Sequence, residues 1–199
     1  MTKRIITISR EFGSGGRFIG EEVAKKLGIK YYDKEIIGQI AKESGMAPEY
    51  IKENAELSPK KGIFAYAFTG RDITGKSVED MVYEAQRKVI LDLAEKEPCV
   101  IIGRNADYIL KDRDDCLKIY IYAPFDVRTK HIAEKYDMSM FSAKRLVRQM
   151  DEKRDTYYKY VTGNRRGEHD GKDAMFDSSI MGVDGTVDML LEMINKKFG

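Results

Sequence analysis

The chain of 199 residues is 42% apolar, enough to fill one α/β core and short for two, so a single core carrying mobile insertions is expected. Although 34% of the residues are charged, the net charge is only +2, which excludes a general attraction to a nucleic-acid polymer or a membrane and confines any basic site to a local cluster. Cys99 and Cys116 lack metal-ligand spacing and lie in or beside apolar runs, the N-terminal stretch is soon interrupted by charge, and no run approaches spanning length. Buried free thiols in a soluble, cytoplasmic protein are expected.

Ile5 to Ile8 is a short β-branched strand that runs into Gly13-Ser14-Gly15-Gly16. A helix follows, with Phe18, Ile19, Val23, Ala24 and Leu27 at helical spacing and Gly28 as its stop. Strand, glycine loop and helix together aim backbone N–H groups at one point, at the positive end of a helix dipole, where a phosphate can sit. A plain tight turn needs fewer glycines. The loop is not a Walker A sequence, G-x-x-x-x-G-K-[ST], because Gly16, Arg17 and Phe18 follow Gly15, and both the lysine and the hydroxyl are missing.

The run Ile29 to Tyr32 reads as a second strand, with Asp33 at its end. Asp33 can cap a helix over 34–42, or face whatever the glycine loop holds, because ligands of open α/β sheets gather at the carboxyl ends of strands. Ser44 to Pro48 starts a further short helix. Leu57 to Lys76, with Phe64, Tyr66 and Phe68 among glycines and basic residues, fits a mobile lid, an exposed interaction loop or a homodimer contact. Val78 to Lys96 restores a clean helix, with Met81, Val82, Ala85, Val89, Leu93 and Ala94 on one face.

Pro98 to Gly103 is an unbroken apolar run, as in a strand buried on both faces of a parallel sheet, and Arg104 and Asn105 follow at its carboxyl end. Leu117 to Ala123 is another such run, and Pro124 leads from it into a helix over 126–135. The βαβ alternation predicts a doubly wound parallel sheet. Ser139 to Tyr160 is a long charged helix in which Phe141, Leu146, Val147 and Met150 can face the core while Lys144, Arg145, Arg148, Lys153 and Arg154 cover other faces. Such a helix is either simply solvated or a closing lid whose arginines stabilise a transferring phosphoryl group. Thr162 to Lys172 is a polar glycine-rich loop in which His169 is expected exposed. Ala174 to Met181 reads as a last strand, and Val187 to Phe198 as a terminal helix with Val187, Leu190, Leu191 and Ile194 inward.

The segments ITISREFGSGGRFIGEEVAKKLG, YYDKEII, CVIIGRNADYIL and DEKRDTYY together resemble the cytidylate-kinase-like proteins of the P-loop nucleoside monophosphate kinase group, over nearly the whole chain. The resemblance implies a three-layer α/β/α fold with a five-stranded parallel sheet and one domain, 1–199. Its core would be about 1–33, 96–138 and 172–199, with a helical monophosphate-binding insertion about 34–95 and a lid about 139–171. It also implies ATP with Mg²⁺ as donor and CMP or dCMP as acceptor. The family's loop lysine falls on Gly16 and its neighbour on Arg17. Arg104 matches the arginine of a G-R-D motif, whose aspartate is Asn105 here, while the carboxylate before the glycine falls on Ile102. Asn105 still accepts a hydrogen bond, and Asp107 lies nearby. Asp33 keeps its place, an acceptor-phosphate arginine is Gln39, and Arg148 and Arg154 match lid phosphate contacts with Asp151 between them.

The expected activity is transfer of the γ-phosphoryl of ATP to a nucleoside monophosphate. Gly13, Ser14, Gly15 and Gly16 would hold phosphate, and Arg17 or Arg10 would replace the lysine charge. Arg148 and Arg154 would close over the transferred group. Asp33 would orient the acceptor or a metal-bound water, so that Mg²⁺ arrives through the nucleotide. Arg104, Asn105, Asp107 and Asp151 would contact the acceptor. The alternatives are a nucleotide-binding regulatory or sensor protein without efficient transfer, which the missing lysine favours, and a kinase of a non-nucleotide acceptor, which the altered base-reading positions permit.

Overall fold

The first β-branched run forms β1 (Ile5–Arg10), in a computed structural model that describes residues 4–48 and 78–199. Then come α1 (Gly16–Leu27), β2 (Lys30–Tyr32), α2 (Glu35–Ser44), α3 (Val78–Lys96) and β3 (Cys99–Ile102). The single turn α4 (Ala106–Ile109), β4 (Cys116–Tyr122), α5 (Phe125–Lys135), α6 (Met140–Thr162), β5 (Ala174–Asp177) and α7 (Ser178–Phe198) complete the order. The expectations for the segment after Pro48, including the aromatics Phe64, Tyr66 and Phe68 as lid or dimer contact, lie outside the described residues.

The sheet has five parallel strands in the order β2-β3-β1-β4-β5. The central strand pairs Ile5 with Cys99 on one side and Cys116 on the other, and Ile8 with Ile102 and Ile119. The period of two along each strand then divides the core. Ile6 and Ile8, with Val100, Ile102, Ile119 and Ile121, meet Ile19 and Val23 of α1 and Val187, Leu190 and Ile194 of α7. Ile5, Cys99, Ile101 and Cys116 face the other way and meet Ile36 and Ile40 of α2 and Val89, Ile90 and Leu93 of α3. Each such aliphatic side chain contributes about 1.5–3 kcal/mol by leaving water. On this second face β1 turns polar toward its carboxyl end, Ile5 being followed by buried Thr7 and Ser9. That end is where the sheet's connections diverge from the central strand, and it is where the site lies.

The three-layer α/β/α architecture matches the sequence expectation, and three local expectations need correction. The last strand stops at Asp177, not Met181, because Asp177 Oδ1 accepts a hydrogen bond from Ser179 N at 2.9 Å and starts α7. Gly182, at φ 67, kinks that helix. Phe141, expected in the core, is 78% exposed. The buried stripe of α6 begins at Ala143 and continues at Val147, and a position two before Ala143 lies about 200° around the helix. Phe18 is likewise exposed, with the Lys135 ammonium 4.6 Å from its ring centroid. Both cysteines are buried and free. Among the described residues no helix is long and apolar enough to cross a membrane.

Candidate active site

The glycine loop is built from inside the sheet. Gly13 and Gly15 have φ of 88° and 78°, and Gly15 stands at the N-cap of α1 without a side-chain cap. A Cβ on Gly13 would lie 2.8 Å from the carbonyl oxygen of Arg128, so the loop needs glycine there for space as well as for conformation. Ser14 does not project from the loop. Its hydroxyl is within 3.0 Å of the Glu11 carbonyl oxygen and 3.2 Å of that of Ile121, and its own carbonyl accepts from Ser178 Oγ at 2.6 Å. The loop is thereby tied to β4 and to the start of α7.

A buried ion network holds the base of the loop. Arg128 Nε donates to the Ala123 carbonyl at 2.9 Å and lies 3.0 Å from Glu11 Oε2, while its Nη1 donates to the Phe12 carbonyl at 2.9 Å and to Asp151 Oδ2 at 2.5 Å. Asp151 Oδ1 accepts from Phe12 N at 2.9 Å, and Arg166 Nη2 lies 3.4 Å from the same oxygen. Arg166 also donates to Asp155 Oδ1 at 2.7 Å and to the Arg10 carbonyl. Burial raises the Glu11 carboxyl above its ordinary range, even with Arg128 opposing that shift.

The ends of β1 and β3 form the floor of a small cavity of about 30 Å³, lined by Ser9, Arg10, Gly103, Arg104 and Asn105 and closed by Arg154, Tyr157, Tyr158 and Arg166. Gly103, Arg104 and Asn105 take φ of 64°, 56° and 52°, three successive left-handed residues of which two carry side chains. Gln86 on α3 fixes the turn by donating to the Arg104 carbonyl at 2.8 Å. Arg104 and Asn105 are 9% and 7% exposed, and the donors Arg104 Nη1 and Asn105 Nδ2 are buried without a protein partner. Positive φ at two residues that carry side chains coincides here with buried donors that the protein itself does not satisfy, which makes this spot the candidate site. Tyr120, beneath Arg166 with the guanidinium 5.9 Å from its ring centroid, is pushed up to about 12 by burial and remains a neutral wall.

The sequence-selected residues fall into separate groups. Arg10, Arg104, Asn105 and Arg154 come together around the cavity, and Arg154 Nη1 is 3.5 Å from the Arg10 carbonyl. Arg17 and Asp33 form a pair instead, Arg17 Nε to Asp33 Oδ2 at 2.8 Å, with Tyr31 donating to the Arg17 carbonyl at 3.3 Å. Asp33 does not cap α2, whose N-cap position is Lys34. Asp107 sits behind the cavity, bound to Lys172 Nζ at 2.6 Å and to the Tyr158 hydroxyl at 3.3 Å. Asp151 lies under the loop. Arg148 is exposed, its guanidinium 5.1 Å from the Phe125 ring centroid, and does not line the cavity. Sequence reasoning missed Glu11, Arg128, Arg166, Tyr157, Tyr158 and Lys172. For Arg166 there was a signal, an arginine pair between two glycines in the loop after the charged helix; Arg128 looked like any surface arginine of a helix.

Among the described residues no group of three or more His, Cys, Asp or Glu side chains is placed to hold a metal ion. A five-stranded parallel α/β/α sheet with a glycine loop after its central strand and an arginine-lined cavity beside it defines a P-loop kinase-like protein. Within that class the chain belongs to the cytidylate kinase-like family, whose model matches residues 5–180. It is 26% identical over 196 residues to a cytidylate kinase of Archaeoglobus fulgidus, covering 96% of this chain and 95% of that protein. It is 32% identical over 143 residues to a cytidylate kinase of Pyrococcus horikoshii, a match that spans 71% of this chain and 62% of the relative's length. A solved structure of an uncharacterized protein from Eubacterium ventriosum superposes with a TM-score of 0.74 at 25% identity, over 97% of this chain and 99% of that one. Shikimate kinase from Acinetobacter baumannii, in complex with shikimate, shares the fold at TM-score 0.55 and 14% identity, over 99% and 96%.

Proposed function

We propose that the protein transfers the γ-phosphoryl group of ATP to a nucleoside monophosphate, with CMP or dCMP the first acceptor to consider. The observation that carries this reading is the convergence of Arg10, Arg104, Arg154 and Arg166 on one cavity at the carboxyl ends of β1 and β3, beside the loop that opens α1. Arg104 Nη1 and Asn105 Nδ2 lack partners there, so an anion rich in acceptors satisfies what the protein alone leaves unmet. The uncapped start of α1 fits a triphosphate, and Mg²⁺ would arrive with the nucleotide, since among the described residues no acidic cluster is placed to hold it.

When bound, ATP with Mg²⁺ supplies the electrophilic phosphorus and neutralises part of the phosphate charge. The chain's own groups position and stabilise. Backbone N–H groups from Gly13 to Gly16 hold the donor phosphates, and Arg104 and Asn105 hold the acceptor. Arg154 and Arg166 reach over both from α6 and the loop after it. An acceptor phosphate oxygen forms the new bond to the γ-phosphorus as the bond to the bridging β–γ oxygen breaks, and ADP leaves. No covalent enzyme intermediate is required. Arg17 and Asp33, already paired, orient at the rim, and one lid arginine contact expected of Arg148 passes to Arg166.

Asp107 is bound to Lys172 through Oδ2, leaving Oδ1 without a hydrogen-bond partner, and the residue before Gly103 is Ile102, so of the two carboxylates that would read a cytosine amino group one is missing and the other already faces a cation. This favours, as a second reading, an acceptor other than a cytosine nucleotide. Single-turnover transfer from γ-labelled ATP with Mg²⁺ to a panel of CMP, dCMP, UMP, AMP and GMP tests both readings. Formation of CDP or dCDP ahead of the other products is expected; equal or faster labelling of UMP, AMP or GMP gives the second reading. Tight ATP binding with no labelled product from any of the five removes transfer to a nucleoside monophosphate and leaves a nucleotide-binding protein or a kinase of a non-nucleotide acceptor.

A further inference from the structure

Counted against the pattern G-x-x-x-x-G-K, with Gly15 as the second glycine, this chain is changed at two places at once. Arg10 stands where the first glycine belongs, and Gly16 stands where the lysine belongs. The structure shows why these changes accompany each other. A Cβ built on Gly16 would lie 2.8 Å from Arg10 Cβ and 3.3 Å from Arg10 Cγ, with Ile121 Cβ at 3.1 Å, so a side chain at position 16 collides first with the one at position 10. The side chain of Arg10 then runs on to Gly103, where a Cβ would lie 1.9 Å from Arg10 Nη1. Gly16 and Gly103 are thus the two clearances through which Arg10 passes, and the second opens on the cavity with Arg104, Asn105, Arg154 and Arg166.

We infer that Arg10 is the transplanted loop cation: the charge that a P-loop lysine delivers from the first turn of its helix is delivered here from the end of β1, as a guanidinium held beside the acceptor cavity. Arg17, the other candidate for that charge, is committed to Asp33 and does not line the cavity. A guanidinium bridges two phosphate oxygens from a fixed plane where an ammonium is a mobile point charge, so the exchange makes the cation part of the site's rigid frame. This inference rests on the kinase reading for its role in transfer, and its steric half stands without it.

The test is a double-mutant cycle with Arg10→Gly and Gly16→Lys, read by denaturant midpoint, by Mg·ATP affinity and by single-turnover transfer, with Arg10→Met as a variant that keeps the stem and drops the charge. Gly16→Lys alone is expected to lower the midpoint and to weaken Mg·ATP binding. Arg10→Met, which keeps the stem, is expected to hold a near-native midpoint, and Arg10→Gly to lower it by emptying the space beside Gly16 and Gly103; both are expected to weaken Mg·ATP on the order of tenfold or more, the worth of a charge-assisted contact. The double variant is expected to regain part of the stability and affinity lost in Gly16→Lys, because the two Arg10 contacts are gone and Ile121 Cβ, 3.1 Å from a Cβ at position 16, is the nearest neighbour left to give. Native affinity and transfer in Arg10→Met, or a double variant no better than Gly16→Lys, overturns the inference while leaving the kinase reading intact. Recovery of stability and affinity in the double variant, with no transfer by any form including the native one, upholds the exchange and removes the kinase reading instead.

Discussion

Lys172 and Asp107 are a fully internal ion pair, their side chains 1% and 0% exposed, with the Tyr158 hydroxyl touching both. Such a pair is weak evidence of net stability, yet removing one partner strands a charge in a medium that solvates it poorly. Lys172→Met is therefore expected to lose about 3–5 kcal/mol in urea unfolding, and Asp107→Leu combined with Lys172→Met to recover most of it. If the single variant is near neutral, the buried pair does not exist as described. Arg104 gives the opposite expectation. At φ 56 it occupies a conformation that disfavours a Cβ by about 1–2 kcal/mol, so Arg104→Gly is expected to hold or raise stability while acceptor affinity falls. A variant that loses stability and affinity together would make Arg104 a packing residue. These two cases also show what sequence conveys at this scale. Arg104 and Asn105 were legible because an apolar strand ends just before them, whereas Lys172 gave no sign of burial, since a lysine in a polar glycine-rich loop is ordinarily solvated.

The charged helix α6 joins two kinds of surface, and its variants should separate them. Val147 is fully buried against Ile132 and Ala143, while Phe141 is mostly in water. Val147→Ala is expected to cost about 2 kcal/mol and Phe141→Ser less than ~0.5 kcal/mol, both by denaturant midpoint. Equal losses would restore the core face that hydrophobic spacing suggested. One turn beyond Val147, Asp151 joins the helix to the glycine loop through Phe12 N and to two arginines that are 8% and 7% exposed at the side chain, Arg128 and Arg166. Asp151→Asn keeps the shape and removes the counter-charge. A loss of about 2–4 kcal/mol, with the proteolytic sensitivity of residues 10–16 rising, is expected; native stability would mean that Glu11 and Asp155 suffice. The helix itself was readable from its pattern, but the phase of its buried face was not, because apolar residues lie on more than one side and tertiary contact chose Ala143. Its role as a strap over the loop was invisible because Asp151 and Arg128 are 23 residues apart and meet only through the fold.

At the scale of the molecule, the apolar runs that made the five-stranded sheet legible also fix how the protein responds to alkali. Periodicity could assign each strand two buried faces, but it could not show that one face turns polar at Thr7 and Ser9 and so opens the site. The same burial that encloses Thr7 encloses Cys99 and Cys116, whose thiols are pushed from 9.0 to about 12, and Tyr120, pushed from 10.0 to about 12, in each case mainly by desolvation. In the folded state these groups keep their protons, whereas in the unfolded chain they release them near their ordinary values. Between pH 9 and 12 the native state therefore binds more protons than the unfolded state, and stability falls as pH rises. Their contribution is fully present below about pH 9 and disappears as pH climbs through about 12, with a slope per group of at most ~1.4 kcal/mol per pH unit. The urea midpoint is expected to be level from pH 7 to 8.5 and to decline steadily above 9, with a shallower decline when both cysteines are replaced by alanine. At pH 8 a thiol reagent should label neither cysteine in the native protein and both after denaturation. Fast native labelling, or a midpoint unchanged at pH 11, would mean that the sheet admits water around β1, and the dry floor on which the arginine cavity rests would have to be abandoned with it.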